Sequence, residues 1–163
     1  MAVLPIVLWP DPRLSKVCAP LGAADDLAGL IADMFDTLYA AKGRGLAAPQ
    51  VGVLKRLFVV DVTWKDGTPD PRVFINPAVV STSETITTMD EQCLSIPDLP
   101  MPVDRPEWAE LTWETASRSR MAARFSGVEA RILLHELDHL DGRVILDHQP
   151  ADRRQTLDAR YAP

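Results

Sequence analysis

Residues 126–142 read SGVEARILLHELDHLDG, and no other stretch restricts the fold of this chain as tightly. Wound at about 100° per residue, His135 and His139 fall together with Val128 and Ile132. Ala130, Leu133, Leu137 and Leu140 fall on the opposite side. A helix that is apolar on two faces must be covered on both, so it belongs at the centre of the molecule. Ser126 and Glu129 have capping-box spacing, which predicts the helix start. The helix should run to about Asp141, and Gly142 suits its stop. Its histidines then lie inside the protein, where an imidazole without a partner is costly.

Two imidazoles four residues apart on a helix can reach one metal ion, and Glu136 between them lies near enough to handle protons. The alternative is a pair of core histidines hydrogen-bonded to neighbours. Two histidines do not complete a metal site. A histidine six residues after His139 would be one familiar third ligand, but that position is Ile145. No glutamate follows Glu136, which leaves Asp147 or Asp158 as downstream acids. Upstream, Cys93 in MDEQCLSIP would make a Cys-His-His set with a fourth position open to water. Taken singly, a free cysteine is more often a small core residue. Cys18, among ordinary loop residues, keeps that reading.

The chain has 163 residues and a formal net charge of −6. That length suits one domain, 1–163. The acidic balance excludes a basic face of the kind nucleic acids need, and no nucleic-acid motif is present. Only two cysteines occur, which favours a reducing compartment over a disulfide framework. The N-terminus MAVLPIVLWPDPRLSK lacks a basic region before its apolar run, so a cytoplasmic protein is expected. No apolar stretch is long enough to span a bilayer.

Other segments order the rest. DDLAGLIADMFDTLYAAKG repeats its apolar residues at helical spacing, with Asp25 or Asp26 placed to cap it and Gly43 to end it. LFVVDV (57–62) reads as a buried strand. VFINPAVV (73–80) reads as another, with Pro77 confining it to an edge or a break. AELTWET (109–115) alternates, turning Ala109, Leu111 and Trp113 to one face, and MAARFS (121–126) could pair with it. The prolines from Pro97 to Pro106 read as a loop. GRGLAAPQVGV (43–53) holds glycines that allow close backbone approach and a central Gln50. It lacks the lysine and spacing of a phosphate loop; the bland reading is a surface turn.

In order, GRGLAAPQ, EQCLS and HELDHLDG resemble the three motifs of the peptide deformylase family. An early PDPRL, the helix before the first motif and VFINP between the first two agree, so the resemblance spans almost the whole chain. It implies an α+β fold in which antiparallel β-strands wrap a central HExxH-bearing helix, with an amphipathic N-terminal helix. It implies that Cys93, His135 and His139 bind one divalent metal, with iron(II) (Fe2+) expected first and Zn2+, Ni2+ or Co2+ as substitutes. Glu136 would be the acid/base, and Gln50 and the backbone N–H of Leu94 would face the developing oxyanion. Gly45 would hydrogen-bond the substrate through its backbone, with Arg44, Met89, Val128 and Ile132 near the methionine pocket. Glu91, Arg105 and Asp138 would stand behind these groups, Asp138 pairing with Arg105.

The implied reaction is removal of the N-formyl group from the formylmethionine of newly made proteins. The partners would be N-formylmethionyl nascent peptides and, transiently, the ribosome. The chain departs from the family at three places. Gln92 stands where glycine is usual, Arg44 where an apolar residue is frequent, and Pro100 where an arginine often follows the second motif. A homolog with altered substrate or lost activity is the competing reading, and these departures motivate it. Some bacterial members dock on the ribosome through a basic C-terminal helix. Here the tail QPADRRQTLDARYAP sets three arginines against Asp152 and Asp158.

Overall fold

The run Leu57, Phe58, Val59, Val60 is apolar at every position because both of its faces are covered. This strand, β2 (Leu57–Val60), lies between β1 (Gly45–Ala47) and β3 (Arg72–Thr82). Phe58 and Val60 point into one cluster, Leu57 and Val59 into another. The structure, a computed structural model, describes residues 2–161.

Two further strands extend the sheet, β6 (Trp108–Glu114) and β7 (Arg120–Ser126), giving the antiparallel order β1-β2-β3-β6-β7. Ala109, Leu111 and Trp113 are buried, as the alternation predicts, and 121–126 does pair with 108–113. Pro77 sits at a register shift between Ile75 and Ala78, beyond the last residue that pairs with β2. The proline costs no ladder bond there.

The central helix, α2 (Gly127–Leu140), packs on one face of this sheet. Ala130, Leu133, Leu137 and Leu140 meet Phe58, Phe74, Trp113 and Phe125. Phe74 holds this layer together, with ring centroids 4.8 Å from Phe58 and 4.7 Å from Trp113. The amphipathic helix α1 (Ala28–Ala40) covers the other face through Met34 and Leu38. The fold is therefore α+β with the HExxH helix at its centre.

Separately, β4 (Ile86–Cys93) and β5 (Ile96–Pro106) form a two-stranded hairpin. The proline stretch expected as a loop is thus a strand. Met101, Val103 and Arg105 point inward while Pro97, Pro100 and Pro102 are exposed, and β5 has β4 as its single partner. A strand paired on one side tolerates prolines on its free positions. The hairpin packs with Val7, Leu14, Ile145, Leu146 and Leu157, the last on α3 (Ala151–Ala159). Residues 162–163 of the tail lie outside the described residues.

Three end signals resolve differently from the sequence expectation. Ser126 is the N-cap of α2, but its side chain makes no capping bond, so there is no capping box. The sheet holds that junction instead: Gly127, at φ +61°, donates to the Glu107 carbonyl at 2.9 Å. Helix α1 starts after Leu27, with Asp26 only accepting from Ala28 N at 3.3 Å. At its end Lys42, not Gly43, takes the left-handed conformation, at φ +57°. Gly43 packs closely instead: a Cβ there would lie 2.9 Å from Leu94 Cδ1 and would make that side chain shift.

Gly142 does end α2 as expected, at φ +74°, and a Cβ there would meet the Ser15 carbonyl oxygen at 2.7 Å. Gly142→Ala is expected to cost about 1–2 kcal/mol from conformation alone, with the backbone collision adding to it. Urea unfolding of the two proteins measures this; equal midpoints would contradict it.

Candidate metal centre and active site

Cys93 ends β4, and His135 and His139 lie one turn apart on α2. One donor atom from each lies within 4.8 Å of the others, close enough to converge on a single ion. Cys93 Sγ is 3.4 Å from His139 Nε2. All three side chains are buried. The downstream acids are excluded: Ile145 is core, and Asp147 and Asp158 both pair with Arg154. Cys18 lies in the core beside α2, and burial raises its thiol.

The electrostatics favour a cation at this point. Burial pushes the Cys93 thiol up, but the His139 and His135 imidazoles outweigh it and hold it at about 5. Burial pulls the His135 imidazole down, yet its hydrogen bonds to Cys93 and Glu91 keep it well above the usual histidine range. A thiolate and a carboxylate thus stabilise positive charge around these rings. The set of one thiolate and two imidazoles fits zinc, iron(II), nickel or cobalt.

Glu91 orients the first histidine. Its Oε1 lies 2.8 Å from His135 Nδ1, leaving Nε2 to face the metal position. The same carboxylate accepts from Arg105 Nε at 2.6 Å and from Arg131 Nη1 at 2.6 Å. Arg105 also reaches Asp138 at 3.0 Å, and Asp138 lies 2.7 Å from His148 Nε2. The expected Arg105–Asp138 pair is therefore present, within a larger network. Burial raises the Glu91 carboxyl, but its bonds to His135 and Arg105 hold it at about 2. Losing one partner from such a buried group typically costs about 3–5 kcal/mol. Arg131 did not emerge from the sequence reading. The available signal was a charged residue one turn before His135, where only apolar neighbours are affordable without a buried acid.

Glu136 is buried, and burial raises its carboxyl. Among the described residues, its Oε2 has no hydrogen-bond partner. It lies against Gly45, where a Cβ would come 2.7 Å from Oε1, so glycine alone fits. The first motif is not a surface turn. Its residues form β1 and a buried 3-10 turn, Ala48–Val51, and Gln50 is 1% exposed. Gln50 Oε1 accepts from Ala47 N at 2.9 Å, which turns Nε2 toward Ser95 Oγ at 3.1 Å and Cys93 Sγ at 3.7 Å. Ser95, the residue that holds this amide, was also not singled out from sequence. Leu94 occupies the turn between β4 and β5.

These groups open into one cavity of about 530 Å³, within the range of small-ligand sites. Arg44, Gly45, Met89, Val128 and Ile132 line it together with Gln50, Cys93, His135 and Glu136. Gln92 lines it too, exposed at a register shift in the hairpin and without positive φ, so a side chain is unstrained there. Pro100 is exposed and does not line the cavity.

Comparison with known proteins agrees with this geometry. The sequence model of one family, polypeptide deformylase, matches residues 3–155. Peptide deformylase of Rhizorhabdus wittichii is 42% identical, over 96% of this chain and 92% of that protein. The Rhizobium meliloti peptide deformylase is 40% identical, over 99% and 93%. Among solved structures, peptide deformylase from Ehrlichia chaffeensis in complex with actinonin superposes with a TM-score of 0.92 at 34% identity, covering 99% of this chain and 96% of that one.

Glu91→Gln is expected to weaken metal binding by about 10–100-fold, as loss of an orienting partner does. Competition with a chelator reads this directly. Unchanged affinity would remove Glu91 from that role.

Proposed function

The chain belongs to the polypeptide deformylase family, and from that premise we propose that it hydrolyses formyl-L-methionyl peptides to formate and methionyl peptides. The observation that carries this reading is a Cys-His-His donor set, of which Cys93 and His135 line one cavity beside Glu136, whose buried Oε2 has no hydrogen-bond partner among the described residues. In this reading residues 1–163 work as one domain.

Cys93, His135 and His139 would hold one divalent ion, iron(II) in the native protein and zinc, nickel or cobalt as substitutes. When bound, the ion supplies the Lewis acidity that makes water nucleophilic near neutral pH. The chain supplies the rest. Glu136 accepts the proton of the attacking water at Oε2 and passes it to the leaving amine. Its raised proton affinity, caused by burial, suits a group that must take up a proton and return it. Gln50 Nε2 and the Leu94 backbone N–H face the oxygen that becomes negative, without bringing a charge. A donor of this kind is worth roughly 10²–10³ in rate. Gly45 lets the peptide backbone approach Glu136, and Met89, Val128 and Ile132 form the apolar wall for the methionine side chain.

The partners in this reading are formylated nascent peptides in the cytoplasm, met beside the ribosome. The tail adds little positive charge for such a contact, because Arg154 on α3 is paired with Asp147 and Asp158. Among the described residues, no helix is long and apolar enough to cross a membrane.

Formate release from a short formyl-methionyl peptide tests the proposal, with protein purified without oxygen and its metal content measured. Glu136→Ala is expected to retain metal and lose roughly 10²–10⁴ in turnover; wild-type turnover in this variant would refute the role. Peroxide is expected to abolish activity through oxidation of Cys93, and replacing iron with nickel should protect. Equal sensitivity of the iron and nickel forms would count against iron as the native metal. Casein cleavage would point to an endoprotease instead.

A further inference from the structure

The cavity lining carries charged side chains from two parts of the chain. Lys42 and Arg44, on the segment joining α1 to β1, and Lys65, in the 3-10 turn after β2, are cationic. Asp90 and Asp98, on the β4–β5 hairpin, are anionic. Among the described residues, none of these five side chains takes part in an ion pair within 4.0 Å. The two aspartates are exposed and stay hydrated. Arg44 differs: its side chain is half-buried, and its Nε is enclosed with no hydrogen-bond partner among the described residues. A guanidinium without an ion-pair partner leaves its charge available to an anionic group that enters the cavity.

The backbone that carries Arg44 is held in place. Its carbonyl accepts from Asp61 N at 2.9 Å, and the Gly43 carbonyl accepts from Trp64 Nε1 at 2.7 Å. Asp61 is fully buried and fastened by Tyr39 Oη at 2.6 Å. The backbone from which the guanidinium extends is therefore fixed, so binding has only the Arg44 side chain to order on this segment. Its position along the substrate follows from Gly45, which touches Glu136 at the reacting centre. Arg44 is one residue away. An extended peptide advances about 3.3 Å per residue. If the first residue takes the apolar wall of Met89, Val128 and Ile132, the next two residues come within reach of Arg44, which lines the same cavity.

We propose that these cationic side chains select formylated peptides that carry a carboxylate side chain at one of the two positions after the formylmethionine, with Arg44 as the residue that reads it. The selection rests on the deformylase reading above. It gives Arg44, the departure inside the first motif, a role in choosing among nascent chains.

The test uses peptides of the forms formyl-Met-Xaa-Ala-amide and formyl-Met-Ala-Xaa-amide, with Xaa alanine, glutamate or lysine. The terminal amide removes a competing carboxylate. Glutamate at one of the two positions is expected to raise kcat/KM about five-fold over alanine at low salt, and lysine to lower it. The preference should shrink at high ionic strength, where exposed charges are screened. Arg44→Met keeps the apolar stem and should bring the glutamate-to-alanine ratio close to one, whereas Arg44→Lys should keep part of it. Absence of turnover on the all-alanine peptide would overturn the deformylase reading. Turnover with no glutamate preference, or with a lysine preference, would overturn the selection alone. A preference that survives Arg44→Met would remove Arg44 as its reader.

Discussion

One carboxylate ties the two halves of this molecule together. Glu91 projects from the β4–β5 hairpin and is shared by Arg105 of the same hairpin and by Arg131 and His135 of the central helix. The hairpin belongs to a separate sheet and, among the described residues, makes no strand pairing with the five-stranded one. Without Glu91, Arg105–Asp138 and the bonds of Arg131 to Thr87 and Val103 would still join hairpin to helix, but His135 would lose the acceptor that orients its ring. Two arginines balance the charges of Glu91 and Asp138, so the buried cluster is close to neutral before any metal enters. Arg131 also donates to the Val103 carbonyl at 2.8 Å and the Thr87 carbonyl at 2.8 Å, which sets the tilt of the hairpin against the helix.

Around that tie, the rest of the site follows from space. The sheet covers one face of α2 with an aromatic layer, leaving the histidine face toward the hairpin. Gly45 brings an edge strand against Glu136, closer than any other residue allows. Gln50 is immobilised by two hydrogen bonds at its ends, one to Ala47 and one to Ser95. A donor held in this way needs no reorganisation when charge develops nearby. The site is thus held on the side of the chemistry, and Arg44 and Gln92, two departures from the family's usual motifs, line its cavity.

Much of this was legible before the structure. The two-sided pattern of 126–142 placed the helix, and the alternation of 109–115 oriented its strand correctly. The errors have local causes. Polar residues 86–92 and the prolines after them conceal a hairpin, because an exposed strand with one partner needs neither apolar alternation nor a complete set of N–H donors. Ser126 matched a capping box, but its backbone was already committed to the sheet. Arg131 and Ser95 passed unnoticed because their importance lies in what they touch, and those contacts join residues 40 and 45 positions apart.

The sequence by itself determined the chemistry. The residue types at 93, 135, 136 and 139 dictate a soft–borderline donor set with an acid between the histidines, whatever the fold around them. Helical periodicity also determined that the histidines are buried. Only the tertiary structure brought Cys93, the cysteine that the motif order points to, within 4.8 Å of both histidines and left Cys18 in the core. It likewise decided that Arg44 lines the cavity with no ion-pair partner among the described residues. Spacing along a helix is a property of consecutive residues and can be read from their order. The meeting of a strand end with a distant helix depends on how the whole core packs, and no local pattern encodes it.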